Sequence, residues 1–315
     1  MTQYIMRRLL LLIPVMLIVG VLVFTLVHLT PGDPAAVILG PDATSEDVED
    51  LRERMGFNEP LYLQFFSWFG GVLQGDLGES YYLDRPVTNA LLDRAAPTIL
   101  LTVYALTIAL VIGVPVGIIS AVKQNSIIDR LAMIFAISGV AIPNFVFGIF
   151  LIMVFAVFLG WLPSGQYTSL AEDPVDHFRR MAMPAFSLGF SSAALLARLV
   201  RSSMLDTLKE DYVRTAYAKG VAFRHVISRH ALRNALIPAI TIIGYSVGTL
   251  LGGAVVTETV FTLPGMGRLV VNSIARRDYP IIQGAVMIIA VMYLLANLTV
   301  DILYVYIDPR IRYGD

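Results

Sequence analysis

Few residues in this sequence are arranged for catalysis. Gly244-Tyr-Ser-Val-Gly248 matches the G-x-S-x-G pattern, which exposes a nucleophilic serine where a strand turns sharply into a helix. Here Ser246 lies inside a long apolar run, with no histidine near the middle of that run to act as a base. The four-residue recurrence of Gly244, Gly248 and Gly252 favours a small-residue groove for packing against a neighbouring helix. An intramembrane serine protease is kept as a distant alternative.

Phosphate and metal chemistry have no clear motif either. ATP-binding loops end in Gly-Lys-Ser/Thr, and no Gly-Lys dipeptide occurs in the chain. The chain has no cysteine, which excludes disulfides and thiolate metal sites. His225 and His230 stand five residues apart, a poor spacing for sharing one helical face around a metal. We therefore expect no catalytic residue, no metal and no cofactor on this chain, and we do not expect an enzyme.

Two acidic residues in apolar segments are functional candidates, because ionisable groups at membrane depth are costly. Glu258 borders the outer end of an apolar run, where a role in an outer gate and a structural ion pair are equally open. Asp301 lies near the end of the last apolar run, where a paired or water-reachable structural role is favoured.

The composition requires a membrane around these candidates. Hydrophobic residues make up 57% of the 315 residues and charged residues only 15%, against roughly a quarter in soluble domains. The mean hydropathy is +0.72 and the net charge is -1, which does not suit a nucleic-acid binder. We predict an all-α integral membrane fold of about six transmembrane helices. The predicted spans are Leu9–Leu29, Pro97–Val122, Leu131–Leu159, Met183–Val200, Ala235–Val256 and Ile281–Ile307.

Two of these spans have distinctive sequences. The first is too long for a signal-peptide core and has no small-residue cleavage site after it, so we interpret it as a retained anchor. The fourth is short and rich in serine and glycine, which favours a helix packed inside the bundle.

Charge placement predicts the orientation. Residues 30–96 hold twelve acidic and four basic residues, whereas residues 198–233 hold eight basic and three acidic ones. We therefore place residues 31–96 outside and both termini in the cytoplasm. Two short outside loops run against the rule, with basic residues Arg179, Arg180, Arg268, Arg276 and Arg277.

The outside segment, residues 31–96, has its own helical signals. Ser45 is a candidate cap for a helix that stops at Gly56, and a second amphipathic stretch follows. These helices either lie on the membrane or bundle, or form a docking surface for an extracytoplasmic partner, and both interpretations are open. The apolar side of the second stretch comprises Leu61, Phe65, Trp68, Phe69 and Val72.

The cytoplasmic loop, residues 201–235, predicts a helix, a glycine turn at Gly220 and a second helix. In the second helix Phe223, Val226 and Ile227 form the apolar side, while arginines form the charged side. Such a stiff elbow between two spans is suited to fit a cleft on another protein. The alternative is a basic amphipathic elbow lying on lipid headgroups.

This loop resembles the coupling motif of binding-protein-dependent ABC importer permeases, in the R-T-A-x-A-K-G form of the peptide/nickel branch, at Arg214-Thr-Ala-Tyr-Ala-Lys-Gly220. The resemblance extends along nearly the whole chain. Its further segments are Leu29-Thr-Pro-Gly-Asp-Pro-Ala35, Gly75-Asp-Leu-Gly78 with Pro86-Val87, Arg229-His-Ala-Leu-Arg-Asn-Ala235, Glu258 with Phe261-Thr-Leu-Pro-Gly-Met-Gly267, Arg277-Asp-Tyr-Pro280 and Asp308-Pro-Arg-Ile311.

The resemblance implies a translocation subunit of the inner membrane, bacterial or archaeal, for short peptides, with glutathione, nickel chelates or opines open. It implies a second similar permease, two ATPases that hold ATP and magnesium, and an extracytoplasmic binding protein as partners. The ATPases would bind the elbow. The coupling residues would be Arg214, Ala216, Ala218, Lys219, Gly220, Val221 and Phe223.

The predicted organisation has four parts: residues 1–30, the outside segment, a five-helix core at 97–307 and a tail at 308–315. A secondary transporter or channel is the main alternative. It predicts an inverted repeat and charges at the midplane, and neither is clear in this sequence.

Overall fold

The structure, a computed structural model, describes residues 2–29, 33–40 and 43–307. The predicted motif positions at 30–32 and 308–311 lie outside this part, as do the predicted tail at 308–315 and the side chain of Asp301. The predicted all-α class is confirmed, and two short strands form the sheet among the described residues. In chain order the elements are α1 Thr2–Leu29, α2 Pro34–Leu39, α3 Ser45–Arg54, α4 Leu61–Leu73, β1 Glu79–Ser80, β2 Arg85–Pro86, α5 Val87–Val122, α6 Ile127–Ala141, α7 Asn144–Leu151 with a π-helical stretch Ile152–Phe158, α8 Pro174–Thr207, α9 Asp211–Ala218, α10 Phe223–His225 with a π-helical stretch Val226–Ala231, α11 Leu232–Ala235, α12 Ile237–Val260, α13 Met266–Arg276 and α14 Tyr279–Ile307.

The number of spans agrees with the prediction. Among the described residues, five helices are long and apolar enough to cross a membrane, namely α1, α5, α8, α12 and α14. Helix α6, taken together with α7 and its π-helical stretch, is long and apolar enough to form a sixth span.

The third predicted span is therefore not one straight helix. Its two halves meet at an angle of 106°. Pro143 has no N–H to donate, and it forces Ile142 before it into an extended conformation (φ −86°, ψ 121°), which ends α6. The predicted continuous span Leu131–Leu159 was therefore wrong.

The chain divides into two compact units, Met1–Ala96 with Gly265–Leu294 and Pro97–Pro264 with Leu295–Asp315. In the second unit α8 is the central helix. Its most apolar 18-residue stretch is 61% buried, the largest share among the candidate spans. Close contact is possible because small residues face each other: a Cβ on Gly113 of α5 would lie 2.6 Å from the Ala193 carbonyl oxygen of α8. The predicted packing of the fourth span inside the bundle is confirmed, although the helix runs well beyond Met183–Val200.

The first unit is built around α1, α4, the β-hairpin, α13 and the first part of α14. The apolar side of α4 packs on α1, where the Phe24 ring lies 5.4 Å from Phe65 and 5.8 Å from Trp68. Further along, Leu77, Leu91 and Ile281 are part of one buried apolar cluster. Leu61, predicted on the same apolar side, is exposed.

Helix α3 begins one residue away from the predicted position. The cap is Thr44 rather than Ser45: its hydroxyl accepts from the Asp47 N–H at 3.2 Å, and the Asp47 carboxylate accepts from the Thr44 N–H at 3.1 Å. These bonds hold the pKa of Asp47 below its ordinary value, mainly through the Thr44 side chain. A reciprocal pair of this kind satisfies two N–H groups that a helix start leaves open.

Candidate functional site

The elbow, defined here as residues 211–235, turns at Gly220 as predicted. Gly220 has φ +76°, in the left-handed region that glycine enters without cost. The Gly220 N–H donates to the Tyr217 carbonyl at 2.9 Å, and the Val221 N–H donates to the Ala216 carbonyl at 3.2 Å. This pair of bonds is the Schellman ending of α9, which closes the helix and reverses the chain.

A small apolar cluster packs inside the turn and stiffens it. Val213 and Val226 are fully buried, Ala216 is 8% exposed, and Leu208 and Val221 pack against them. Contact between the residue after a glycine cap and the last helical turn is the usual partner of this ending. Ala216 and Val221, predicted as coupling residues, therefore lie inside the elbow and support it.

The remaining predicted coupling residues are exposed. Arg214, Ala218, Lys219 and Gly220 are all accessible, and the Phe223 ring, 53% exposed, lies 6.2 Å from the Tyr217 ring in a stacked arrangement. We call this surface, residues 214 and 217–220 with Phe223, the elbow rim. It combines an aromatic pair with two cations, and a Cβ added at Gly220 would meet only open space.

The second arm of the elbow, residues 221–235 after the Gly220 turn, is packed onto the membrane helices. Ile227, Ala231 and Ala235 belong to one buried cluster with residues of α5 and α8, including Ala121 and Met204. This arm contains the π-helical stretch Val226–Ala231, which the sequence analysis did not predict.

A polar contact ties the two arms together. The Asn234 side-chain amide donates to the Tyr212 hydroxyl at 2.8 Å. The exposed rim therefore lies at the turn between two connected arms, and the second arm is packed on α5 and α8.

A buried ion pair that the sequence analysis missed lies in the same unit. The Arg201 guanidinium on α8 donates two bonds to Asp129 at 2.6 and 2.7 Å, and Asp129 is only 4% exposed. The Asp129 carboxylate also accepts from the Ser120 hydroxyl and from the Asn125 N–H. The pair thus clamps the turn between α5 and α6 onto α8, ten residues before the elbow begins. The Ser126-x-x-Asp129 spacing signals only the helix cap, not the partner 72 residues away.

Glu258, the candidate for an outer gate, is fully buried. Its carboxylate accepts a bond from the Thr98 hydroxyl of α5 at 2.5 Å. This contact joins α12 to α5 within the second unit. The gate role stays a prediction.

The three glycines predicted to form a packing groove have different surroundings. A Cβ on Gly244 would lie 3.0 Å from Val300 of α14, so this position is a close helix contact. A Cβ on Gly252 would meet nothing within 4 Å in the described structure. Gly248 and Ser246 lie in the same uninterrupted helix, α12, so the strand-to-helix turn that a hydrolase serine needs is absent at Ser246.

The first unit contains a polar network around Asp278. Its carboxylate accepts from the Ser80 hydroxyl and from the Tyr81 N–H, which ties the β-hairpin to the start of α14. Arg276 lies 3.6 Å from the centre of the Tyr82 ring. Burial raises the pKa of Tyr81 to about 12, with a smaller effect of the Asp278 charge. The sequence analysis used Arg277-Asp-Tyr-Pro280 only as a resemblance and did not predict this network.

An open cavity of about 680 Å³ lies in the same unit. Its acidic lining residues are Glu59, Glu79 and Asp84, and no Lys or Arg lines it among the described residues. The Tyr279 hydroxyl at its edge is buried and has no hydrogen-bond partner in the described part of the chain.

A multi-pass helical membrane protein with an exposed, well-supported elbow belongs structurally with transport permeases. Residues 113–313 match the family model of the binding-protein-dependent transport system inner membrane component, and residues 1–102 match the N-terminal model of such membrane components. The chain belongs to this family.

Curated relatives agree along the full length. The chain is 45% identical over 313 residues to the glutathione transport system permease protein GsiC of Shigella flexneri serotype 5b (strain 8401) and to that of Escherichia coli (strain K12). In both cases the match covers 99% of this chain and 100% of the relative.

A solved structure supports the fold. A chain of the MetNI methionine ABC transporter in its inward-facing conformation matches with a TM-score of 0.54 at 17% identity, over 70% of this chain and 96% of that one. The family match and the full-length relatives confirm the predicted permease class, and the chain is a multi-pass inner membrane permease subunit of an ABC importer.

Proposed function

We propose that this subunit forms half of the translocation pathway for short peptides, with glutathione as the first substrate to test. The full-length identity to glutathione permeases supports the substrate class. The single observation that supports the mechanism is the elbow, an exposed rim on a buried base that is packed against α5 and α8. The second half of the pathway is a homologous permease.

In this proposal ATP and magnesium act on two partner ATPases, each seated on a permease elbow. The chain has no phosphate-binding Gly-Lys loop of its own. When the ATPases close, they press on Arg214, Lys219 and Phe223 of the rim. Because the second arm is packed on α5 and α8, the push moves the spans and opens the pathway outward. Hydrolysis then resets it.

An extracytoplasmic binding protein delivers the substrate to the other face, with both termini in the cytoplasm. The acidic character of residues 30–96 and the acid-lined cavity of the first unit support docking there. Complementary charge steers such encounters and weakens with added salt. Specificity then rests largely with the binding protein.

The proposal is tested by purifying the tagged chain from its native membrane in mild detergent and reconstituting what accompanies it. We expect two ATPase chains and a second permease in the complex, and uptake of labelled glutathione or dipeptide only with ATP on the ATPase side. The chain reconstituted alone is the control and should transport nothing. Uptake by the chain alone, or a complex without ATPases, would show a secondary transporter instead.

A further inference from the structure

A small groove lies beside the elbow on its membrane side. On one side the groove is lined by Ile118, Ile119 and Val122 of α5. On the other side it is lined by residues of the second arm. The groove has a volume of about 260 Å³, and its lining is almost entirely carbon. On the elbow side the apolar lining residues are Phe223 and Ile227.

The position of the groove is that of a membrane boundary. The apolar span of α5 ends at Val122, and Lys123 is the next residue. Basic residues that directly follow a span mark the level of the lipid headgroups. From this sequence pattern we infer that the groove lies near the headgroup level, where both acyl chains and headgroups are within reach.

The edge of the groove is positively charged. Lys123 and Arg224 line it and are exposed, and neither forms an ion pair among the residues that the structure describes. No acidic side chain lines the groove in the same part of the chain. Two exposed cations beside a carbon-lined slot fit a molecule with a phosphate at one end and a hydrocarbon chain at the other.

We propose that this groove binds one anionic phospholipid of the surrounding leaflet. The phosphate lies between Lys123 and Arg224, and a segment of one acyl chain lies against Ile118, Ile119 and Val122. Free phosphate has no part that would fill the carbon-lined slot. A soluble protein partner would meet the rest of the elbow rim, because Phe223 is the one rim residue that also lines the groove.

Such a lipid would join α5 to Phe223 and Arg224, near the start of the second arm. It would stiffen the support of the elbow, so the anionic lipid content of the membrane would set how well force on the rim reaches the spans. The binding itself requires only that the chain is embedded in a membrane. It therefore stands or fails independently of the peptide substrate.

The test counts lipids that stay bound to the purified full-length chain, using native mass spectrometry in dodecyl maltoside. Phosphatidylglycerol and phosphatidylcholine with identical acyl chains are titrated separately. We expect one tightly retained phosphatidylglycerol, and roughly tenfold weaker retention in the double variant Lys123→Gln/Arg224→Gln. Ile119→Trp, which fills the slot and keeps both cations, should also release the lipid. Arg130→Gln, an exposed cation on α6 outside the groove, is the matched control and should change nothing.

Several outcomes would overturn the proposal. Equal retention of both lipids by the wild-type chain, or unchanged retention in the double variant, would show that the proposed lipid site does not exist. Displacement of phosphatidylglycerol by millimolar inorganic phosphate, with Ile119→Trp silent, would show an anion site without a lipid. Loss of ATPase binding by Ile119→Trp with lipid retention intact would assign the groove to a protein partner.

Discussion

At the scale of single residues, the buried Asp129–Arg201 pair has a direct consequence for stability. Asp129 is nearly inaccessible and accepts four bonds, from Arg201, Ser120 and Asn125. A buried carboxylate is tolerated only when it is paired and hydrogen-bonded to this extent. The pair therefore holds the α5–α6 turn to the part of α8 that leads into the elbow.

We predict that Asp129→Asn lowers the free energy of unfolding by about 2–3 kcal/mol, because Arg201 keeps its charge but loses its partner. The Arg201 side chain is 23% exposed, so water offsets part of the cost. Thermal melting of the purified chain in detergent measures the loss. The double variant Asp129→Leu/Arg201→Met should regain much of it, since no charge is then left unpaired. A single variant that melts with the wild type would contradict this account.

At the scale of elements, the start of α3 separates two adjacent candidate caps. We predict that Thr44→Ala costs about 1 kcal/mol of local stability, because the Asp47 N–H loses its acceptor. Hydrogen exchange of the full-length chain should then be roughly fivefold faster in the first turn of α3. Ser45→Ala is the matched control and should have no comparable effect. The opposite order of effects would place the cap at Ser45.

Helix packing within the second unit depends on close approach at particular glycines. We predict that Gly113→Val costs about 3 kcal/mol or more and lowers the amount of folded chain in the membrane, because the new side chain would meet the Ala193 carbonyl on the α8 backbone. Gly252→Val, in another span with open space around it, is the control and should be tolerated. Melting temperatures in detergent compare the two. Equal losses would show that α5 and α8 do not pack this closely.

The elements also show why some features could be predicted and others could not. Long apolar runs and a glycine at a helix end are local signals. The approximate spans and the turn at Gly220 could therefore be predicted from the sequence alone. Pro143 signalled a break, but not an angle of 106°, since the angle depends on how both halves pack against α8. The π-helical stretch in the second arm has no residue signature of its own.

Long-range polar pairs were missed for a related reason. Asp129 and Arg201 are 72 residues apart, and Ser80 and Asp278 are 198 apart. No periodicity within a helix or strand brings such residues together, because tertiary packing chooses the partner. The predicted coupling set likewise mixed supporting residues, Ala216 and Val221, with exposed ones.

At the scale of the whole molecule, we propose a permease whose membrane helices are moved from outside the chain. The elbow is the part suited to receive that motion, since its rim is exposed and its second arm is packed on α5 and α8. Substrate choice and energy supply belong to partners in this account. In the proposed function the chain itself contributes a mechanical link and half of a pathway.

The most direct test of this link is the number of substrate molecules taken up per ATP hydrolysed by the reconstituted complex. A β-branched residue at φ +76° carries a strain of about 1–2 kcal/mol, which corresponds to roughly a tenfold loss of the native turn. Gly220→Val should therefore lower this ratio about tenfold while ATP hydrolysis continues. Gly220→Asn, which tolerates the left-handed region, and Gly160→Val, at a similar φ outside the elbow, are the controls and should keep the ratio near that of the wild type. A fully expressed Gly220→Val complex with the wild-type ratio would contradict the account.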